Sequence, residues 1–222
     1  MKNNLTTTKN TDLILKKSKS MLDITNRILS GKTALTQIDE SWMQRLWDWA
    51  DENEIGDLKW VESKYNDNGG YYKGFPRDKK TLLELTKLGL WDNQLTDLPK
   101  EIGNLSNLTV LQLSYNQLTE LPKEIVNLSN LTELELSNNQ LTELPKEIGN
   151  LSNLTDLRLS YNQLTELPKE IRNLSNLRRL NLENNPNLIL SIEQKEWIKK
   201  LISKYGTGFS RIDIDDDLLS RT

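Results

Sequence analysis

From Leu85 onward the chain repeats itself every 23 residues. Leu108 to Asn130 reads LTVLQLSYNQLTELPKEIVNLSN, and nearly the same text restarts at Leu131 and Leu154. It runs back to Leu85 (LTKLGLWDNQLTDLPKEIGNLSN) and forward to Leu177 (LRRLNLENNPNL), where it decays. A half unit precedes these, since Phe75-Pro76-Arg77-Asp78 lies 23 residues before Leu98-Pro99-Lys100-Glu101. A fixed period of this length restricts the chain to architectures in which one supersecondary unit stacks on copies of itself.

The order of residues inside a unit identifies its parts. L-x-x-L-x-L alternates with period two, which predicts a short strand with its leucines turned inward. Asn93, Asn116, Asn139, Asn162 and Asn185 fall at the bend after the strand, where an amide can bond the backbone of its own and adjacent turns. Pro99, Pro122, Pro145 and Pro168 lie on the return path, where no ladder hydrogen bond is needed. Ile102, Ile125, Ile148 and Ile171, with Leu105, Leu128, Leu151 and Leu174, close the core from the convex side. Prolines and asparagines recurring in mid-unit exclude an amphipathic helical array. No unit can bury its leucines alone, so the units must stack into an α/β solenoid.

These units resemble the leucine-rich-repeat superfamily, in the 23-residue class carrying LPxxIxxLxxL found in Ras-group plant and animal proteins and in many bacterial proteins. The resemblance covers about half of the chain. It implies a horseshoe segment with a parallel concave β-sheet, and it implies binding of another protein, although the family's partners differ widely.

Composition narrows the function. The chain holds no Cys and no His, which removes disulfides, thiolate nucleophiles, Cys/His zinc sites and imidazole chemistry. No metal or other cofactor is expected. The net charge of -3 argues against a general nucleic-acid binder. The first thirty residues lack a secretory signal, and no run approaches the roughly 18 apolar residues of a membrane span. A cytoplasmic protein is expected, bacterial or delivered into a host cell.

An exposed solenoid end would show open strand edges and bare leucines, so both ends need caps. Residues 36–74 read as an aromatic-rich N-terminal cap. Ser41-Trp42-Met43-Gln44 has capping-box spacing and predicts a helix to about Glu52, with Trp42, Leu46 and Trp49 on its apolar face. Trp60, Val61, Tyr65, Tyr71, Tyr72 and Phe75 add bulk ahead of the repeats, which span 75–190. Residues 191–222 read as a C-terminal cap helix followed by a short strand or acidic tail. Ser191-Ile192-Glu193-Gln194 repeats the capping-box spacing, and Trp197, Ile198, Leu201 and Ile202 supply an apolar face. Residues 1–35 form a basic arm or helix with seven Lys and Arg against two Asp. A helix over residues 12–30 docked on the cap is expected there, with attachment to a membrane surface as the alternative.

The repeated copies carry their own comparison. The framework and the convex LPKEI text barely change, while differences gather at positions 3, 5, 7 and 8 of each unit. Position 3 reads Lys87, Val110, Glu133, Asp156 and Arg179, and position 5 reads Gly89, Gln112, Glu135, Arg158 and Asn181. Position 7 reads Trp91, Ser114, Ser137, Ser160 and Glu183, and position 8 reads Asp92, Tyr115, Asn138, Tyr161 and Asn184. Alternation turns positions 3 and 5 outward onto the concave sheet, with 7 and 8 beside them. The convex face is also exposed, yet it has not drifted, so the variation marks a binding surface. Its candidate residues are Lys87, Trp91, Asp92, Gln112, Tyr115, Glu133, Glu135, Asn138, Asp156, Arg158, Tyr161 and Arg179. Trp and Tyr are the residue types enriched at interface hot spots, and Glu133, Glu135 and Asp156 make an acidic centre with Arg158 and Arg179 beyond it. Five strands about 4.8 Å apart give a floor of roughly 20 Å, suited to a helix, hairpin or loop of a protein partner. A mostly polar sheet suits a specific contact between otherwise monomeric proteins.

Other signals are discounted. Gly31-Lys32-Thr33 imitates the end of a phosphate-binding loop, but Asn26 stands where Gly is required. Asp213, Asp215 and Asp217 alternate like calcium ligands, but Leu218 replaces the required Gly, so an exposed acidic tail is expected. Sequons such as Asn104-Leu105-Ser106 are repeat grammar. The expected function is therefore a non-catalytic interaction module, a scaffold, regulator or bacterial effector. The alternative is a glycan hydrolase using Glu133, Glu135 and Asp156, for which an open sheet offers nothing to exclude water or raise a pKa.

Overall fold

A computed structural model describes residues 39–61, 71–207 and 212–221, apart from the side chains at positions 60, 61, 71 and 72. The chain divides into two compact units, Met1–Asp39 and Glu40–Thr222, and every element below belongs to the second. The basic arm, the 12–30 helix, Gly31-Lys32-Thr33 and Tyr65 lie outside the described residues.

Each L-x-x-L-x-L segment forms a three-residue strand: β3 (Lys87–Gly89), β4 (Val110–Gln112), β5 (Glu133–Glu135), β6 (Asp156–Arg158) and β7 (Arg179–Asn181). Each return path forms a five-residue 3-10 turn after its proline: Lys100–Asn104, Lys123–Asn127, Lys146–Asn150 and Lys169–Asn173. The strands pair in parallel at the repeat's own spacing, so Leu88, Leu111, Leu134, Leu157 and Leu180 lie side by side. Burial in register follows from the period-two alternation, because a slip of one residue would turn every leucine outward. Those five leucines and the isoleucines of the 3-10 turns are at most 1% exposed.

Four of the five asparagines do what their position predicts, and the first, Asn93, bonds through its side chain only to Trp91 O of its own unit. Asn116 Nδ2 donates to Leu90 O of the preceding unit (2.8 Å) and to Leu113 O of its own (2.9 Å). Its Oδ1 accepts from Asn93 N and Leu95 N at 3.1 and 3.0 Å. Asn139, Asn162 and Asn185 repeat the scheme with Leu118 N, Leu141 N and Leu164 N as donors. A second ladder runs along the opposite end of the strands. Asn107, Asn130, Asn153 and Asn176 each donate Nδ2 to a carbonyl of the preceding unit, at 2.7 to 2.9 Å. Both ladders bridge units, so they convert a stack of weak turns into one hydrogen-bonded column.

The N-terminal cap differs from expectation in three ways. Helix α1 (Ser41–Glu52) begins one residue earlier than a capping box on Ser41 would allow: Glu40 is the N-cap, with no side-chain cap bond. The Ser41 hydroxyl instead accepts from Arg45 at 2.7 Å. Its buried face is Met43, Leu46, Trp49 and Ala50, with Trp42 only half-buried. Between helix and repeats stands a hairpin, β1 (Lys59–Val61) antiparallel to β2 (Tyr71–Lys73), and β2 joins β3 in parallel. The half unit at Phe75 turns through an α-helix, α2 (Lys79–Glu84), in place of a 3-10 turn, because the Asp78 side chain caps Thr81 N. Phe75 is fully buried against the edge of Trp49, and Arg45 ties α1 to the first 3-10 turn through Glu101 at 2.5 Å.

At the other end, α3 (Ile192–Tyr205) starts with the expected capping box between Ser191 and Gln194. Gln194 is buried and also donates to Leu167 O at 2.7 Å, which fastens the helix to the fourth 3-10 turn's loop. Beyond it, β8 (Ile212–Asp213) adds in parallel to β7 and completes an eight-stranded sheet. Of the two expectations for this segment, the short strand forms and the exposed acidic tail does not. Leu218 is fully buried, and Arg221 binds Asp215 (2.9 Å), Asp217 (2.7 Å) and the Asn185 carbonyl (2.8 Å).

Candidate functional site

The sheet sets its outward residues in two rows. One row runs Lys87, Val110, Glu133, Asp156, Arg179, and the other Gly89, Gln112, Glu135, Arg158, Asn181. The caps lengthen the second row, because Lys73 of β2 registers with Gly89 and Asp213 of β8 with Asn181. Neither cap residue was anticipated as part of this face. The alternation in Arg211-Ile212-Asp213-Ile214 carried the signal for Asp213, whereas Lys73 sits outside any repeat pattern.

The acidic centre is not left open. Arg158 lies between Glu135, at 2.8 Å from Nη1, and Asp156, which it meets through Nε (3.2 Å) and Nη2 (3.0 Å). Arg179 reaches Asp156 from the next strand at 2.9 Å. Asp156, only 3% exposed, is thus neutralised by two guanidinium groups, as a buried carboxylate must be. Charges that the sequence placed as an acidic centre with basic residues beyond it are interleaved into one network.

Glu135 behaves differently. Burial raises its carboxyl to about 7 against the pull of Arg158, and the adjacent Glu133 and Asp156 carboxylates push it the same way. This corrects the expectation that an open sheet raises no pKa. The pair is still unlike a glycosidase site. Glu133 and Glu135 stand two residues apart on one strand and so share one side of the sheet, whereas retaining and inverting enzymes set their carboxyls on opposite sides of the scissile bond, about 5 Å or more apart.

Beside the rows, position 8 of every unit adopts the left-handed backbone: φ is 55° at Asp92, 59° at Tyr115, 57° at Asn138, 54° at Tyr161 and 58° at Asn184. Asn and Asp tolerate this region because their short side chains bond locally, and for a bulky residue it costs about 1–2 kcal/mol. Tyr115 and Tyr161 nevertheless occupy it and are the most exposed aromatic side chains described, at 62% and 56%. Asn138 lies between them and is half-buried. Ser137 and Ser160 are joined hydroxyl to hydroxyl at 2.9 Å just beneath. Trp91 is half-buried, and Lys73 Nζ sits 3.8 Å from its ring centroid, so the tryptophan presents less open surface than the tyrosines. Lys87, Asp92 and Arg179 are exposed; Gln112, Glu133, Glu135 and Arg158 are half-buried.

A second concavity, about 650 Å³, follows the opposite ends of the strands and is lined by Thr86, Thr109, Thr132 and Thr155 with the four ladder asparagines. Thr109, Thr132 and Thr155 each donate a hydroxyl to the threonine carbonyl one unit back, at 2.9 to 3.0 Å. Those three threonines and the four asparagines are therefore bound up in joining units.

The description "leucine-rich repeat region" matches residues 77–202. Among solved structures, a leucine-rich-repeat protein of Leptospira interrogans is 45% identical over 56% of this chain, with a TM-score of 0.52. The match covers 33% of that protein, so this chain spans about a third of its length. No curated protein matches.

Proposed function

The chain belongs to the leucine-rich-repeat family, and on that premise we propose that it is a non-catalytic interaction module that holds another protein on its concave sheet. The observation carrying this reading is the pair Tyr115 and Tyr161. Framework pressure at position 8 favours Asn or Asp, which the other three units supply. Two units accept a strained backbone in order to display a large amphipathic ring to solvent. Strain kept where a neighbouring unit shows the relaxed solution points to a use for the side chain. Rings with few rotatable bonds are also the groups that lose little entropy when an interface forms.

The working setting is a scaffold, regulator or effector, in a bacterial cytoplasm or delivered into a host. The likeness to a Leptospira protein supports the bacterial origin. No helix among the described residues is long and apolar enough to cross a membrane. Anchoring through residues 12–30 would show as liposome flotation lost on their deletion.

The test substitutes the residue that a sister unit already uses. Tyr115→Asn with Tyr161→Asn keeps the left-handed turns and removes both rings. Affinity capture with wild type and this double variant, quantified by mass spectrometry, should show the specific partner depleted at least tenfold while thermal stability is equal or higher. Equal recovery of every captured protein would sink the assignment of this face.

A further inference from the structure

Resting on the concave-face reading, we infer that the partner sets a basic side chain, Lys or Arg, on Glu133 and Glu135, on the face that also displays the exposed rings of Tyr115 and Tyr161. The two tyrosines follow β4 and β6, which flank β5. Two strand spacings place their backbones about 10 Å apart, and between them stands the smaller Asn138. Two exposed rings thus stand on either side of Asn138, three residues beyond the end of β5. A cation held within about 6 Å of an aromatic face is attracted by the ring quadrupole.

Charge selects the occupant. Three carboxylates, Glu133, Glu135 and Asp156, face two guanidinium groups. Arg179 is committed to Asp156, and Arg158 is divided between Asp156 and Glu135. Among the described residues no arginine or lysine forms a salt bridge with Glu133, which Arg158 influences only through space. The neighbouring strand β4 presents Val110 and Gln112, neither charged, and the next positive side chain on that side is Lys87 of β3. The network therefore lacks one cation. In the free protein a proton retained by Glu135 to about pH 7 takes that role. An acidic side chain from a partner would meet uncompensated negative charge, and an apolar one would bury it without a counter-ion.

The experiment selects a random twelve-residue peptide display library on the full chain at pH 8, and measures the synthesised winners by calorimetry. Winners should carry Lys or Arg beside an apolar residue. Glu133→Gln should weaken them about tenfold. Lowering the pH from 8 to 6 should weaken wild type about tenfold through protonation of Glu135, and leave Glu135→Gln nearly flat. Circular dichroism melting of each variant verifies that it is folded. No enrichment of basic peptides over the starting library overturns the inference. So do winners that need the tyrosines and ignore Glu133, which would leave the concave-face reading intact. Winners indifferent to both Tyr115→Asn/Tyr161→Asn and Glu133→Gln would end both.

Discussion

Asn162 does more for the fold than any single leucine can, because its amide satisfies backbone groups that the narrow core would otherwise strand. It accepts from Leu141 N at 3.0 Å and donates to Leu136 O and Leu159 O, each at 3.0 Å. All three partners are buried, and each group left unpaired costs about 1–3 kcal/mol. Asn162→Ala should therefore cost about 3 kcal/mol or more in urea unfolding. Asn93→Ala, which loses one half-exposed bond to Trp91 O, should cost below about 1 kcal/mol; equal losses would show that the ladder is not the cause. Glu135 poses the opposite case, a residue that works against the fold. Its folded value is raised from 4.5 to about 7, so between those limits the native state holds a proton that the unfolded chain has released. Stability falls as pH rises through that window, by on the order of 3 kcal/mol at its upper end. Glu135→Gln cannot ionise, so its stability relative to wild type should grow from pH 4.5 to pH 8; a constant difference would refute the assignment. The asparagine role was legible in the sequence because spacing alone dictates it. The charge network was not, since strand alternation says that six ionisable groups share a face without saying which guanidinium chooses which carboxylate.

Secondary-structure elements obey the repeat only while their neighbours do. Ser41 and Ser191 carry the same four-residue spacing, but only Ser191 precedes its helix in the extended conformation that lets a hydroxyl reach back to the N3 amide. Glu40 takes the corresponding place at φ -90°, ψ 2°, and Ser41 is swept into the first turn, where its oxygen serves Arg45. Spacing states what a cap could be, and the incoming backbone decides whether it forms. The 3-10 turns give a sharper instance. Gly103, Val126, Gly149 and Arg172 hold the same position in successive units, so the sequence treats them as interchangeable. Packing does not. A Cβ on Gly149 would lie 2.3 Å from the backbone oxygen of Glu170 in the next turn, a clash that no side-chain rotation relieves. Gly149→Ala should thus destabilise by about 1–3 kcal/mol, despite the usual gain from replacing glycine in a helical turn. A variant as stable as wild type in thermal unfolding would mean that the two turns can part at no cost.

At the scale of the molecule, a stack of units has nearest-neighbour energetics, so its ends decide whether the middle survives. The N-terminal closure announces itself by composition, with tryptophans clustered before the first unit. The C-terminal closure is partly hidden. Helix α3 is plain from its capping box, but residues 212–221 read only as a short strand or charged tail, and they mimic the unit that would come next. Asp213 O accepts from Leu182 N at 2.8 Å, as Asn181 O does from Leu159 N one unit earlier. Asp215 Oδ1 accepts from Asn184 N at 2.9 Å, where the next unit's carbonyl would stand. Arg221 then covers the Asn185 carbonyl. Mimicry of this kind has no repeat text to betray it, since the side chains of Asp215 and Arg221 replace backbone groups. A chain ending at Gly206 should keep α3 yet lose the burial of Ile212 and Leu218, worth about 3 kcal/mol or more before the entropy regained by the freed segment. The loss should be local. Hydrogen exchange should quicken at the amides of Leu182 and Asn184 and spread into residues 154–190, while Leu113 and Leu118 keep their protection because the N-terminal cap still holds them. Uniform acceleration along the whole sheet would mean that the solenoid unfolds as a single unit, and unchanged exchange at Leu182 would mean that the pseudo-unit closes nothing.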